Sequence, residues 1–148
     1  MNKTIIMLKP DAYERELRDI ILEELLDYTK MEAIARKYIW LSRTELEIIY
    51  NHNIGKDFWE DFVEYMTRRP IEMFLVQAKN VLENANYIIG PTKPEDDKAK
   101  KTIRGKHGIP SYMQKGKHIE NLVHSSYDRK AFEIEKEVML WWKKAYIL

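Results

Sequence analysis

Apolar and β-branched residues fill positions 4–8 without interruption and stop at Lys9-Pro10-Asp11. A run of that length, ended by a residue with no backbone donor, predicts a buried strand. The period then changes. Across residues 15–30, Leu17, Ile20, Ile21, Leu25 and Tyr28 recur at three- and four-residue spacing among charges, the pattern of an amphipathic helix. A second strand is expected over residues 33–41. Thr44 is the expected cap of a short helix through Tyr50, and Asp57 of another through Met66, whose apolar side carries Phe58, Phe62 and Met66.

Arg69-Pro70 closes that stretch, and the compact apolar run Ile71–Ala78 reads as a third strand. Val81–Ile89 reads as a helix ending at Gly90-Pro91. From 91 to 117 prolines, glycines and lysines replace periodicity, which predicts a long loop, and loops of that length in a compact domain are usually functional or mobile. Asn121-Leu122-Val123-His124 follows, then a helix over 128–137 and a last strand over 138–142. Strands and helices in this order predict an α+β sandwich, one antiparallel sheet covered by helices, as a single domain over residues 1–148. No internal repeat is visible.

Composition narrows the function without choosing it. The chain has 148 residues, 45% of them hydrophobic, enough for one continuous core. Its formal charge of +1, from 25 basic and 24 acidic side chains, offers no footprint for sequence-independent nucleic-acid binding. An anionic ligand must therefore be held by a local cluster. Without cysteine, disulfides, thiolate catalysis and cysteine zinc sites are excluded, and a reducing cytoplasm is the expected compartment. The apolar stretch before Lys9 is too short for a signal-peptide core, and no run reaches membrane-spanning length.

Four polar residues stand beside predicted strand ends or glycines rather than on free helix faces: Lys9, Thr92, Arg104 and His124. A lysine just after a buried strand delivers its ammonium to one point, and an arginine beside Gly105 offers a planar fork to phosphate oxygens. Taken singly, each has a plain structural alternative: a solvated strand terminus, a surface turn, a satisfied histidine. Imidazole suits a phosphoryl relay because its neutral form is nucleophilic near physiological pH, provided a partner fixes its tautomer. Glu137 is the candidate partner. His52 and His107 have no ligands at metal-site spacing, and the four tryptophans Trp40, Trp59, Trp141 and Trp142 fit packing positions.

Together and in this order, the motifs resemble the nucleoside diphosphate kinase family along nearly the whole chain. Met7-Leu8-Lys9-Pro10-Asp11 resembles its opening motif. Gly90-Pro91-Thr92 and Thr102-Ile103-Arg104-Gly105 resemble its phosphate-binding segments, and Asn121-Leu122-Val123-His124-Ser125-Ser126 resembles its active-site signature. Residues 135–142 resemble its closing helix and strand. The resemblance implies a ferredoxin-like fold and a phosphotransferase that moves the γ-phosphoryl of a nucleoside triphosphate to a nucleoside diphosphate. The mechanism implied is ping-pong, with a phosphohistidine intermediate and Mg2+ brought in on the nucleotide phosphates. It also implies homo-oligomers (hexamers, tetramers or dimers) and no membrane or specific nucleic-acid partner.

By the same resemblance His124 is the nucleophile, Glu137 holds its other nitrogen and Ser126 supports that glutamate. Lys9 and Asn121 contact the ribose and phosphates, and Tyr50 bonds near Lys9. Thr92 and Arg104 hold phosphates, and Phe58 stacks on the base with Phe62 beside it. Asn86 falls in the nucleotide-binding set, at a position where the family usually has arginine. Ser125 stands where glycine is usual, and Tyr127 where aspartate is. The interval from His124 to Glu137 is longer than usual, which leaves Glu133 and Glu135 as alternative holders. The segment before Asn121 is also lengthened, around 108–116. These departures define the alternative function, a weakly active or inactive nucleotide-binding or scaffold homologue.

Overall fold

The computed structural model describes residues 2–141 and the backbone of 146–147. Strand β1 (Asn2–Leu8) lies at the middle of one antiparallel sheet and pairs with β3 (Ile71–Ala78) on one side and β4 (Val123–Ser125) on the other. Strand β2 (Glu32–Ile39) pairs with the far side of β3, and β5 (Tyr146–Ile147) adds to its edge. The resulting order β4-β1-β3-β2 is the ferredoxin-like arrangement, with β5 as an addition.

Helices cover both faces, which is why β1 from Ile5 to Leu8 and β3 from Met73 to Val76 read as unbroken apolar runs rather than alternating ones. Ile5 and Met7 point to one core with α3 (Arg43–Ile49), α4 (Trp59–Thr67) and α7 (Arg129–Leu140). Ile6 and Leu8 point to the other, with α1 (Pro10–Glu14), α2 (Arg18–Thr29), α5 (Val81–Ile89) and α6 (Ile103–His107). Pro10 ends β1 and opens α1, where its missing N–H has no intrahelical partner to lose.

Several expected boundaries move. Helix α3 is capped by Ser42, not Thr44: Ser42 Oγ accepts from Glu45 N while Glu45 Oε1 accepts from Ser42 N, a reciprocal box that starts the helix at Arg43 and leaves Thr44 inside its first turn. Helix α4 starts after Phe58 with no side-chain cap, so Asp57 plays no capping part. Residues 138–140 are helix, not strand. Phe132, Glu135, Val138 and Met139 are all buried at helical spacing, and burying that stripe outweighs the strand tendency of an apolar stretch. Trp142, the expected strand end and a packing candidate, lies outside the described residues.

The long segment is built, not structureless. It holds a 3-10 turn at Asp97–Ala99, α6 capped by the Thr102 hydroxyl, and a second 3-10 turn at Ser111–Met113. No helix among the described residues is long and apolar enough to cross a membrane.

On β3, Glu72 is buried at 1% exposure beneath Arg18, Arg36 and the Tyr13 hydroxyl, at 2.5, 2.6 and 3.0 Å. Burial works against its charge, but these hydrogen bonds hold its carboxyl down to about 2. A depressed carboxyl stabilises the fold above its unfolded value and loses that effect as pH falls through the folded one. Glu72→Gln is therefore expected to cost about 2 kcal/mol at pH 7, since both arginines reach solvent. The difference from wild type should shrink between pH 4.5 and about 2, read from urea midpoints across pH.

Candidate active site

The β1–β4 pairing sets Met7 opposite His124, so the histidine projects from an edge strand held against the inner strand β1. Before it the chain turns tightly: Val123 N donates to Asn121 O at 2.9 Å around Leu122, whose φ is +77°. This γ-turn at a residue with a side chain stores about 1–3 kcal/mol of backbone strain. It frees the Leu122 carbonyl to accept from Lys9 N at 2.8 Å, locking the end of β1 against the segment that carries His124.

His124 Nε2 lies 2.9 Å from Glu135 Oε1, and the same oxygen accepts from Ser126 Oγ at 2.9 Å. Ser126 Oγ also accepts from Ile5 N, so the support is itself anchored to β1. The expected holder Glu137 is replaced by Glu135. At about 3.6 residues per turn the stripe that buries Phe132 and Val138 takes in Glu135, 2% exposed, while Glu137 faces solvent, as does Glu133. That stripe was visible in the sequence and would have selected Glu135.

A carboxylate accepts only from an N–H, so Nε2 carries the ring hydrogen and Nδ1 the lone pair. Tyr50 OH lies 3.3 Å from Nδ1. Tyr50 thus meets His124 itself rather than the neighbourhood of Lys9, because α3 ends against the face on which the imidazole projects. Burial, reinforced by the charge on Glu135, pushes its phenol well above the usual value, keeping it a donor to Nδ1.

Lys9 is buried and donates to Asn121 Oδ1 at 2.8 Å, while Asn121 Nδ2 holds the Thr92 carbonyl at 2.9 Å. Burial, with the nearby Arg104 charge, pulls the Lys9 ammonium down to about 7. Arg104 donates to the carbonyls of Asn121, Gly90 and Val123 at 3.2, 2.9 and 2.7 Å. A guanidinium has five N–H groups, so two remain for an anion. Burial lowers it to about 10, still charged at neutral pH. Gly90, at φ +95°, passes so close to Thr102 that a Cβ there would collide with its hydroxyl.

Two expected ligands sit differently. Phe62, 2% exposed, packs edge-on against Tyr50 and His118, each at 4.6 Å, and offers no free face to a base. Asn86 turns its amide to Ser125, Ser126 and Tyr127. Phe58 remains half-buried at the rim, and Thr92 is exposed. His118, absent from the sequence reading, lies among Phe58, Phe62 and Tyr65, and burial holds its imidazole neutral, down to about 3. It also borders a cavity of about 410 Å3 beneath the lengthened segment, lined by Asp11, Tyr65, Arg68 and Met113 rather than by His124. Among the described residues no group of three or more His, Asp or Glu side chains could hold a metal ion.

The sequence profile described as nucleoside diphosphate kinase matches residues 2–147. The chain belongs to the nucleoside diphosphate kinase family. The nucleoside diphosphate kinase of Thermosipho africanus is 30% identical over 93% of this chain and 88% of its own. That of Pyrococcus furiosus is 29% identical over 97% and 84%. Among solved structures, the apo nucleoside diphosphate kinase of Encephalitozoon cuniculi superposes with a TM-score of 0.83 at 26% identity, covering 95% of this chain and 89% of that one. The Aquifex aeolicus enzyme gives 0.79 at 24% identity over 95% and 96%, which supports the fold.

The carboxylate assignment has a direct check. Glu135→Ala is expected to shift the ring 15N resonances of His124 from a single Nε2–H tautomer towards a mixture. Glu137→Ala should leave them unchanged, and the reverse pattern would restore Glu137 as the holder.

Proposed function

We propose that this chain is an active nucleoside diphosphate kinase that works by a ping-pong phosphohistidine mechanism. The observation that carries the reading is a histidine whose Nε2–H is held by a buried carboxylate, leaving the Nδ1 lone pair unused by it, on a segment whose Leu122 and Val123 carbonyls take the Lys9 amide and the Arg104 guanidinium. Nδ1 attacks the γ-phosphorus of a nucleoside triphosphate, an N–P bond forms, and the bond to the bridging β-oxygen breaks as the diphosphate leaves. The positive charge that develops on the ring is met by Glu135 through the Nε2 hydrogen, which need not move. A second diphosphate then reverses each step, so that ATP and NDP become ADP and NTP.

Lys9 and Arg104 are assigned to neutralising the transferred phosphoryl, and Asn121 to holding the lysine in place. Tyr50 yields Nδ1 when phosphorus arrives. Thr92, exposed beside Asn121, is assigned to holding phosphates, and Phe58 is the ring left to stack on a base, a contact tolerant of base identity. Magnesium fits this site as a passenger on the nucleotide phosphates, because the groups lining it are cationic; bound there, it screens phosphate charge. Cytoplasmic location and assembly into homo-oligomers complete the proposal, and neither a membrane nor a specific nucleic acid is a partner in it.

Incubation with γ-labelled ATP and magnesium should give an acid-labile, base-stable phosphoenzyme that passes its label to added diphosphate. His124→Ala should abolish labelling, and a variant that labels and turns over like wild type would overturn the mechanism. Lys9 adds a pH signature. Its ammonium titrates near 7 in the free protein, and bound phosphate charge raises it, so binding takes up a proton above that pH. Affinity for ADP should consequently weaken as pH rises from 7 to 9, and Lys9→Met should both flatten that dependence and lower kcat/KM about a hundredfold. Calorimetric titration at each pH measures it.

A further inference from the structure

We propose that Asn86 is a positioning residue for His124 and not a nucleotide ligand; the inference rests on the phosphohistidine reading above. Asn86 sits in the last turn of α5. Its Nδ2 donates to the carbonyls of Ser126 at 2.9 Å and Tyr127 at 3.3 Å, and its Oδ1 accepts from Ser125 Oγ at 2.6 Å. The orientation of the amide is fixed by these partners, since two backbone carbonyls can only accept. Both Nδ2 hydrogens are therefore engaged, and no donor is left for a phosphate oxygen.

What the amide holds is the three-residue segment that follows the nucleophile. Ser126 is fully buried, and its hydroxyl bridges Ile5 N and Glu135. Fixing the Ser126 carbonyl thus fixes where that hydroxyl, and through it the Glu135 oxygen on Nε2, comes to rest. The same turn of α5 ends at Gly90, whose carbonyl accepts from Arg104. One helix end therefore ties together the support of the nucleophile and the arginine. Ser125 and Asn86 are also two of the positions at which this chain departs from the family pattern, and here they bond to each other. A serine at 125 supplies the hydroxyl that a glycine lacks.

If Asn86 acts through the 125–127 segment, Asn86→Ala lowers the rate of phosphoenzyme formation at least tenfold while the dissociation constant for ADP moves less than twofold. Asn86→Asp, which cannot donate to the two carbonyls, should be as impaired, and Asn86→Gln should recover part of the rate. The His124 15N resonances of the nucleotide-free protein should broaden or shift in the Ala and Asp variants. That readout needs no turnover, so it separates failure of this inference from failure of the phosphohistidine reading. Should Asn86→Ala not fold, Ser125→Ala removes one bond, leaves both carbonyl contacts, and should show the same split at about threefold. Weaker ADP binding with unchanged rate and resonances would overturn the proposal and make Asn86 a ligand.

Discussion

A single carboxylate oxygen, Glu135 Oε1, accepts hydrogen bonds from both His124 and Ser126, and the rest of the site follows from that pair of bonds. A carboxylate this deeply buried is costly unless its charge is matched by donors. The two donors come from β4 and from the residue directly after it, so satisfying Glu135 requires α7 and β4 to keep one relative placement. Helix α7 holds its side of that placement through Phe132, Val138 and Met139, and β4 holds its side through pairing with β1. The core thereby aligns the chemistry.

Two positive-φ residues flank the cationic site, and at Leu122, which carries a Cβ, that conformation costs energy. Leu122 adopts a positive φ immediately before β4, and Gly90 does so immediately after α5. Both carbonyls are used: Leu122's takes the Lys9 amide, and Gly90's takes Arg104. Strain of this kind persists only where surrounding contacts over-determine it, and Arg104 supplies three such contacts at once. Its role is double, a staple for three loop carbonyls and a cation with two donors still free.

Much of this was legible in the chain. The apolar runs at 4–8 and 71–78 predicted strands, and the expected bounds Ile71–Ala78 and Val81–Ile89 agree with the structure end to end. The motifs around Lys9, Arg104 and His124 marked residues that converge. Readings failed where two local rules competed. An apolar 138–142 suggested a strand, but α7 needed Val138 and Met139 to complete its stripe. The resemblance points first to Glu137, although the longer interval from His124 and the helical phase both count against it, and the phase places Glu135 inward. Tyr50, Asn86 and His118 were beyond local reasoning, because their partners at 124, 125–127 and 58–65 are brought to them only by tertiary packing.

The electrostatics of the site point the same way as its geometry. The buried Lys9 ammonium lies near the half-buried Arg104 guanidinium, which depresses the charging of Lys9 beyond what desolvation alone would do. Such an arrangement weakens the unliganded fold, because a buried charge is favourable only when matched. Asn121 gives Lys9 one oxygen and three backbone carbonyls serve Arg104, a partial compensation by dipoles to which the nearby Asp11 carboxyl adds. A polyanion entering the site supplies what is missing without moving the donors. The cost of orienting them was met during folding, and that is why such a site stabilises the charge of a transferring phosphoryl more than bulk water can.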